Sequence, residues 1–173
     1  MLHFVASWQE NDALLKELMR LPDMLEKVLA EPAQLLASQL ANVTHLIVLG
    51  RGFGYAISCE IALKLKEVCG IQAESYSSAE FLHGPVTLAE SALTVIGVEV
   101  TDESSIIHQN QLQNVESRGA SLFRLTHSHT DLHPRLCPLL VMLRFYLDVE
   151  AIAIASGINP DAPPGLNKVT QTL

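Results

Sequence analysis

The stretch Leu46-Ile47-Val48-Leu49-Gly50-Arg51-Gly52-Phe53-Gly54 passes from four consecutive apolar side chains into a turn carrying three glycines. An unbroken apolar run that ends on glycine is the pattern of a strand buried on both faces. The residues after it, 54–69, place Ile57, Ile61, Leu65 and Val68 at helical spacing, which predicts a helix with an apolar face. Strand, glycine turn and helix form one half of a parallel crossover unit, and the rest of the chain repeats the alternation. Ala92 to Val98 and Ser121 to Leu125 read as further buried strands, and Ala73 to Tyr76 as a weaker one. Helical stretches fall at 78–83, 103–117 and about 136–156. The expected fold is α/β, a three-layer sandwich around a parallel sheet of about five strands.

Upstream, Asp12 can cap a helix through Leu14, Leu15, Leu18 and Met19, with Pro22 interrupting or restarting it before Met24 to Leu29. Pro32 is expected to open a second short helix to about Leu40. Downstream, Gly157, Pro160, Pro163 and Pro164 end the last helix, leaving an irregular tail that is a candidate lid. The expected division is a helical segment at 1–41, the α/β domain at 42–158 and the tail at 159–173.

The 173 residues suit one domain, without internal repeats. A net charge of −8 offers no basic stripe for a nucleic-acid backbone. Cys59, Cys69 and Cys137 are odd in number, lack CxxC spacing and lie in apolar stretches, so reduced thiols in a cytoplasmic protein's core are expected. No apolar run approaches the roughly 18 residues of a membrane span, and Met1 is not followed by a basic leader. A mean hydropathy of +0.25 with only 17% charged residues predicts that part of the surface is covered by another chain or domain, hence an oligomer such as a homodimer.

Glu60, Lys64 and Glu67 fall within an arc of about 60° on the predicted helix, presenting acid, base and acid on one face. A solvated i, i+4 pair explains Glu60 and Lys64 taken alone. With Glu67 beside them, the face suits a proton shuttle between adjacent carbons of a sugar, with the lysine countering developing negative charge. The turn Gly50-Arg51-Gly52 suits an anion at a helix N-terminus, or is simply a tight turn. A dinucleotide fingerprint is incomplete there, since Tyr55 stands where GxGxxG has its third glycine, although Glu74 stands near the ribose-ligand position. His83-Gly84-Pro85 puts an imidazole at a turn, either a structural or merely exposed loop histidine or a catalytic one with Glu80, Ser75, Ser77 and Ser78 as possible partners. His127, His129, Asp131 and His133 have the donor types for a metal, yet a polar loop before Pro134 explains them, and no metal or other cofactor is called for. Lys168 is either a surface lysine or an amine that the tail brings to a carbonyl substrate.

Several of these motifs, in the same order, resemble a known family. Leu49-Gly50-Arg51-Gly52, Glu60 through Glu67, Ala73-Glu74-Ser75-Tyr76, Glu80-Phe81-Leu82-His83-Gly84-Pro85 and the ending Asn159 to Thr170 are similar to the second sugar isomerase (SIS) domain of glucosamine-6-phosphate synthase and to related SIS aminosugar-phosphate deaminases. The resemblance implies a flavodoxin-like fold and an aminosugar 6-phosphate ligand. It implies Glu67 as the base moving a proton between C1 and C2, supported by Glu60 and Lys64. His83 would assist ring opening, often from a neighbouring subunit, and Lys168 would engage the open-chain carbonyl. In that family two SIS domains occur in tandem, and Ser/Thr-rich loops of the first hold most of the phosphate. Here Thr101-Asp102-Glu103-Ser104-Ser105 fills the equivalent loop, and two acids make a poor phosphate cradle. The expectation is therefore an isomerase or deaminase domain completed by another SIS domain or subunit, or a fragment of a two-domain protein. The alternative is a phosphosugar-binding or SIS-pairing module without turnover. There is no N-terminal Cys nucleophile, so glutamine hydrolysis is not expected.

Overall fold

The computed structural model describes residues 1–91, 93–128 and 132–165. Its elements are α1 (Leu2–Trp8), α2 (Asp12–Ala30), α3 (Ala37–Leu40), β1 (His45–Gly50), α4 (Phe53–Cys69), β2 (Gln72–Ser77) and α5 (Ser78–Leu82). A 3-10 turn (Pro85–Ser91), β3 (Thr94–Val98), α6 (Ser105–Ser117), β4 (Ser121–Leu125) and α7 (Cys137–Ala155) follow.

The sheet is parallel throughout, in the order β2-β1-β3-β4, so β1 is an inner strand as its apolar run requires. Leu46 and Val48 point to a core shared with Ile61 and Leu65 of α4 and with Val141, Phe145 and Val149 of α7. Ile47 and Leu49 point the other way, to Phe81 of α5 and to Leu112 and Val115 of α6. Three layers result, with α2 packed outside α7. Gly97 of β3 lets α6 lie close to the sheet, since a Cβ there would come within 2.7 Å of Leu112.

Among the described residues the parallel sheet has four strands, against the approximate five expected. After β4 the chain turns toward α7, and the Gln34 side chain takes the place of a further peptide at Thr126. Its Oε1 accepts the Thr126 N–H at 2.8 Å and its Nε2 donates to the Thr126 carbonyl at 3.1 Å.

Three local expectations are corrected. Asn11, not Asp12, caps α2, its Oδ1 accepting the Leu14 N–H at 3.0 Å. Pro22 does not interrupt α2, because Leu14 before it and Met24 and Val28 after it are all buried in the same core. Only the last four residues of the segment opened by Pro32 are helical. The Gln34 and Leu35 N–H groups donate instead to Asp148 Oδ2, at 3.1 and 3.0 Å. Asp148 is fully buried and also accepts from Arg144, whose Nη1 reaches the Glu31 carbonyl at 2.8 Å. This buried pair fastens the N-terminal helices to α7. The short α1, with Ala6 buried, has no side-chain cap that would mark it in the sequence.

Candidate functional site

Two groups of candidate residues lie at opposite ends of α4. Near its C-terminus, Lys64 Nζ sits 2.7 Å from Glu67 Oε2 and 3.8 Å from Glu60 Oε1, each side chain about one-third exposed. The Glu67 hydrogen bond pushes the Lys64 amine up, against the opposing effect of burial. Tyr146 of α7, which no local spacing in the sequence marks, donates its hydroxyl to Glu60 Oε1 at 3.0 Å. A groove of about 430 Å³ runs between Lys64, Glu67 and Val68 on one side and Pro160 to Pro163 on the other, so the start of the tail folds back against this face. The arrangement offers a carboxylate poised by an ammonium group, beside a cleft.

At the N-terminus of α4, the Gly50–Gly52 turn and Ser77 adjoin, since Gly50 and Ser77 are paired at the end of β1 and β2. The glycines have steric reasons: a Cβ on Gly50 would overlap the Gly54 carbonyl, and one on Gly52, at φ 55°, would overlap the Asp102 carboxylate. Asp102 Oδ2 accepts the Phe53 N–H at 2.9 Å, and Oδ1 accepts the Ser104 N–H at 2.8 Å and its hydroxyl at 2.6 Å. The position that a bound anion would take at this helix end therefore carries the chain's own carboxylate. A cleft of about 500 Å³ opens beside it, lined by Arg51, Phe53, Glu103 and Ile107 among others.

From Gly52 to Glu67 is about 22 Å along the helix, at 1.5 Å per residue. One chain does not bring the glycine turn and Glu67 to a single small ligand. His83 is an exposed residue at the C-terminal end of α5, on the sheet face opposite α4, so the same chain does not bring it to Glu67 either. Ser78 is turned inward: its hydroxyl donates to Gln111 Oε1 at 2.5 Å and lies 2.9 Å from His108 Nδ1. The Ser75 hydroxyl points at Cys59 Sγ, 3.3 Å away. Neither serine faces the Gly50–Gly52 turn with a free hydroxyl.

A family model described as the SIS domain matches residues 39–156. The chain belongs to the SIS domain family. Glutamine–fructose-6-phosphate aminotransferase [isomerizing] of Legionella pneumophila (strain Lens) is 32% identical over 170 residues, covering 90% of this chain and 28% of that protein. The Thermotoga maritima protein of the same name is 30% identical over 176 residues, covering 92% and 29%. This SIS chain thus spans under a third of the length of these curated relatives. Among solved structures, a Silicibacter pomeroyi protein assigned as a phosphosugar isomerase superposes with TM-score 0.82 at 35% identity, over 92% of this chain and 52% of that one. The C-terminal domain of glucosamine-fructose-6-phosphate aminotransferase from Francisella tularensis does so with TM-score 0.73 at 26% identity, over 90% and 49%.

Lys168, His129 and Asp131 lie outside the described residues. His127 Nε2 is 3.0 Å from the Thr101 hydroxyl, and His133 Nδ1 accepts the Arg135 N–H at 3.3 Å. All three cysteines are free, but Cys59 is exposed on α4, contrary to the expectation of three core thiols. Burial pushes Cys69 up to about 11 and raises Cys137.

Proposed function

We propose that this SIS domain supplies the acid–base half of a site for an aminosugar 6-phosphate, performing aldose–ketose isomerisation or deamination once a second SIS domain or a second copy completes it. The observation that carries this reading is the Glu60, Lys64 and Glu67 face closed by the tail, set against an anion seat already filled by Asp102. Glu67 takes the proton from one of the two carbons C1 and C2 and returns it to the other while the hydroxyl proton passes between O2 and O1, which interconverts aldose and ketose with all atoms kept; in the deamination the C2 imine so formed takes up water and releases ammonia. Lys64 keeps an ammonium beside that carboxylate and lowers the energy of the enediolate oxygen. Glu60 steadies Lys64. His83 would assist ring opening from a neighbouring chain, and Lys168 would meet the open-chain carbonyl. Arg51 and Gly52 line the cleft beside the α4 N-terminus, with Gly50 and Ser77 behind them at the strand ends, and the phosphate would be held by the partner. The relatives' names, which join an aminotransferase to an isomerising activity on fructose 6-phosphate, support this choice of substrate class. Sugar phosphates do not leak through membranes, which suits a cytoplasmic setting, and among the described residues no helix is long and apolar enough to cross one.

The separation of the two groups along α4 favours one second reading, a module that pairs with another SIS domain or binds phosphosugar without turnover. Incubating the purified chain, alone and together with a second SIS domain, with glucosamine 6-phosphate or fructose 6-phosphate decides between them. Under the first reading product forms and Glu67→Gln lowers kcat at least 100-fold, the range of one general base. Absence of turnover, with thermal stabilisation by either sugar phosphate, supports the second.

A further inference from the structure

We infer that Tyr146 is a positioning residue that holds Glu60 and so leaves Lys64 committed to Glu67. Lys64 stands between two carboxylates on its own helix, four residues after one and three before the other, and α-helical spacing by itself permits either pairing. The observed geometry is lopsided, with 2.7 Å to Glu67 and 3.8 Å to Glu60. The Glu60 oxygen nearest Lys64 is the one that accepts the Tyr146 hydroxyl at 3.0 Å. Phe145 and Val149 of α7 are buried in the core shared with α4, so the backbone carrying Tyr146 is set against that helix by packing. A phenol donating to one lone pair of Oε1 satisfies part of that carboxylate's demand for donors and weakens its claim on the ammonium group.

The tie can be tested without turnover. Tyr146 is one of three tyrosines, and the difference between the absorbance titrations of the parent and of Tyr146→Phe isolates its ionisation. Burial first, and then the Glu60 carboxylate, raise that ionisation above the ordinary phenol range. In a Glu60→Gln background the Tyr146 step should move to lower pH. A step that does not move overturns the inference.

Only the kinetic arm rests on the proposed role of Glu67. There, Tyr146→Phe should lower kcat about fivefold with KM unchanged, the size of one hydrogen bond's net contribution. Added to Glu60→Gln it should lower kcat no further, because Tyr146 acts through Glu60. A Tyr146→Phe loss that persists in the Glu60→Gln background, as a general packing role would give, also overturns the inference. If Glu67→Gln turns over as fast as the parent, the reading of Glu67 fails while the titration still decides the Tyr146 tie.

Discussion

Asp102 shows how one side chain changes the meaning of a motif. A glycine turn before a helix reads as an anion site, yet the chain folds a carboxylate onto the Phe53 N–H and packs it where a Gly52 Cβ would be. The carboxylate acts on α4 as an N-cap contributed from a distant loop. Asp102→Ala should therefore destabilise the domain by about 1 kcal/mol, read as a lower thermal midpoint. His108 is a second residue with a consequence for stability. It is buried against Ser78, and burial lowers its pKa against the raising influence of Glu99 and Asp102. Because the folded value lies below the unfolded 6.5, the unfolded chain binds the proton first. Stability should be full above that pH and decline as pH falls through it, and His108→Gln should flatten the decline in denaturant titrations at pH 7 and pH 5.5.

Among the elements, α2 and α4 differ in how much of their form was legible. The periodicity of α4 set out its buried and polar faces, and Gly70 at φ 66° ends it with the Ile71 N–H on the Leu65 carbonyl at 3.1 Å. Helix α2 continues through Pro22 although the proline removes a hydrogen bond, because the apolar stripe on both sides is anchored in the core. Pro22 is exposed, so Pro22→Ala should restore that bond without disturbing packing. The expected gain is about 1–3 kcal/mol in denaturant unfolding, the Ala–Pro difference less the looser unfolded chain. The helix expected after Pro32 shortened for the opposite reason: a buried carboxylate outcompeted local hydrogen bonding for two N–H groups.

At the scale of the molecule, the Arg144–Asp148 pair joins α7 to the segment between α2 and α3, and every oxygen of Asp148 has a donor. Asp148→Ala leaves a buried guanidinium and two N–H groups without their acceptor, so a loss of about 3–5 kcal/mol is expected by chemical denaturation. The same scale decides the candidate site. Glu60, Lys64 and Glu67 were legible because three residues within two helical turns share a face whatever else the chain does. The alternation of apolar strands with amphipathic helices was legible too, since backbone geometry imposes those periods locally, and it determined an α/β fold with β1 inside a parallel sheet. Tertiary structure alone decided that Tyr146 meets Glu60, that Asp102 fills the α4 N-terminus, and that Ser78 turns inward. Each of these contacts joins residues 30 or more apart. No local period specifies such pairings; they follow from how whole helices pack on the two faces of the sheet.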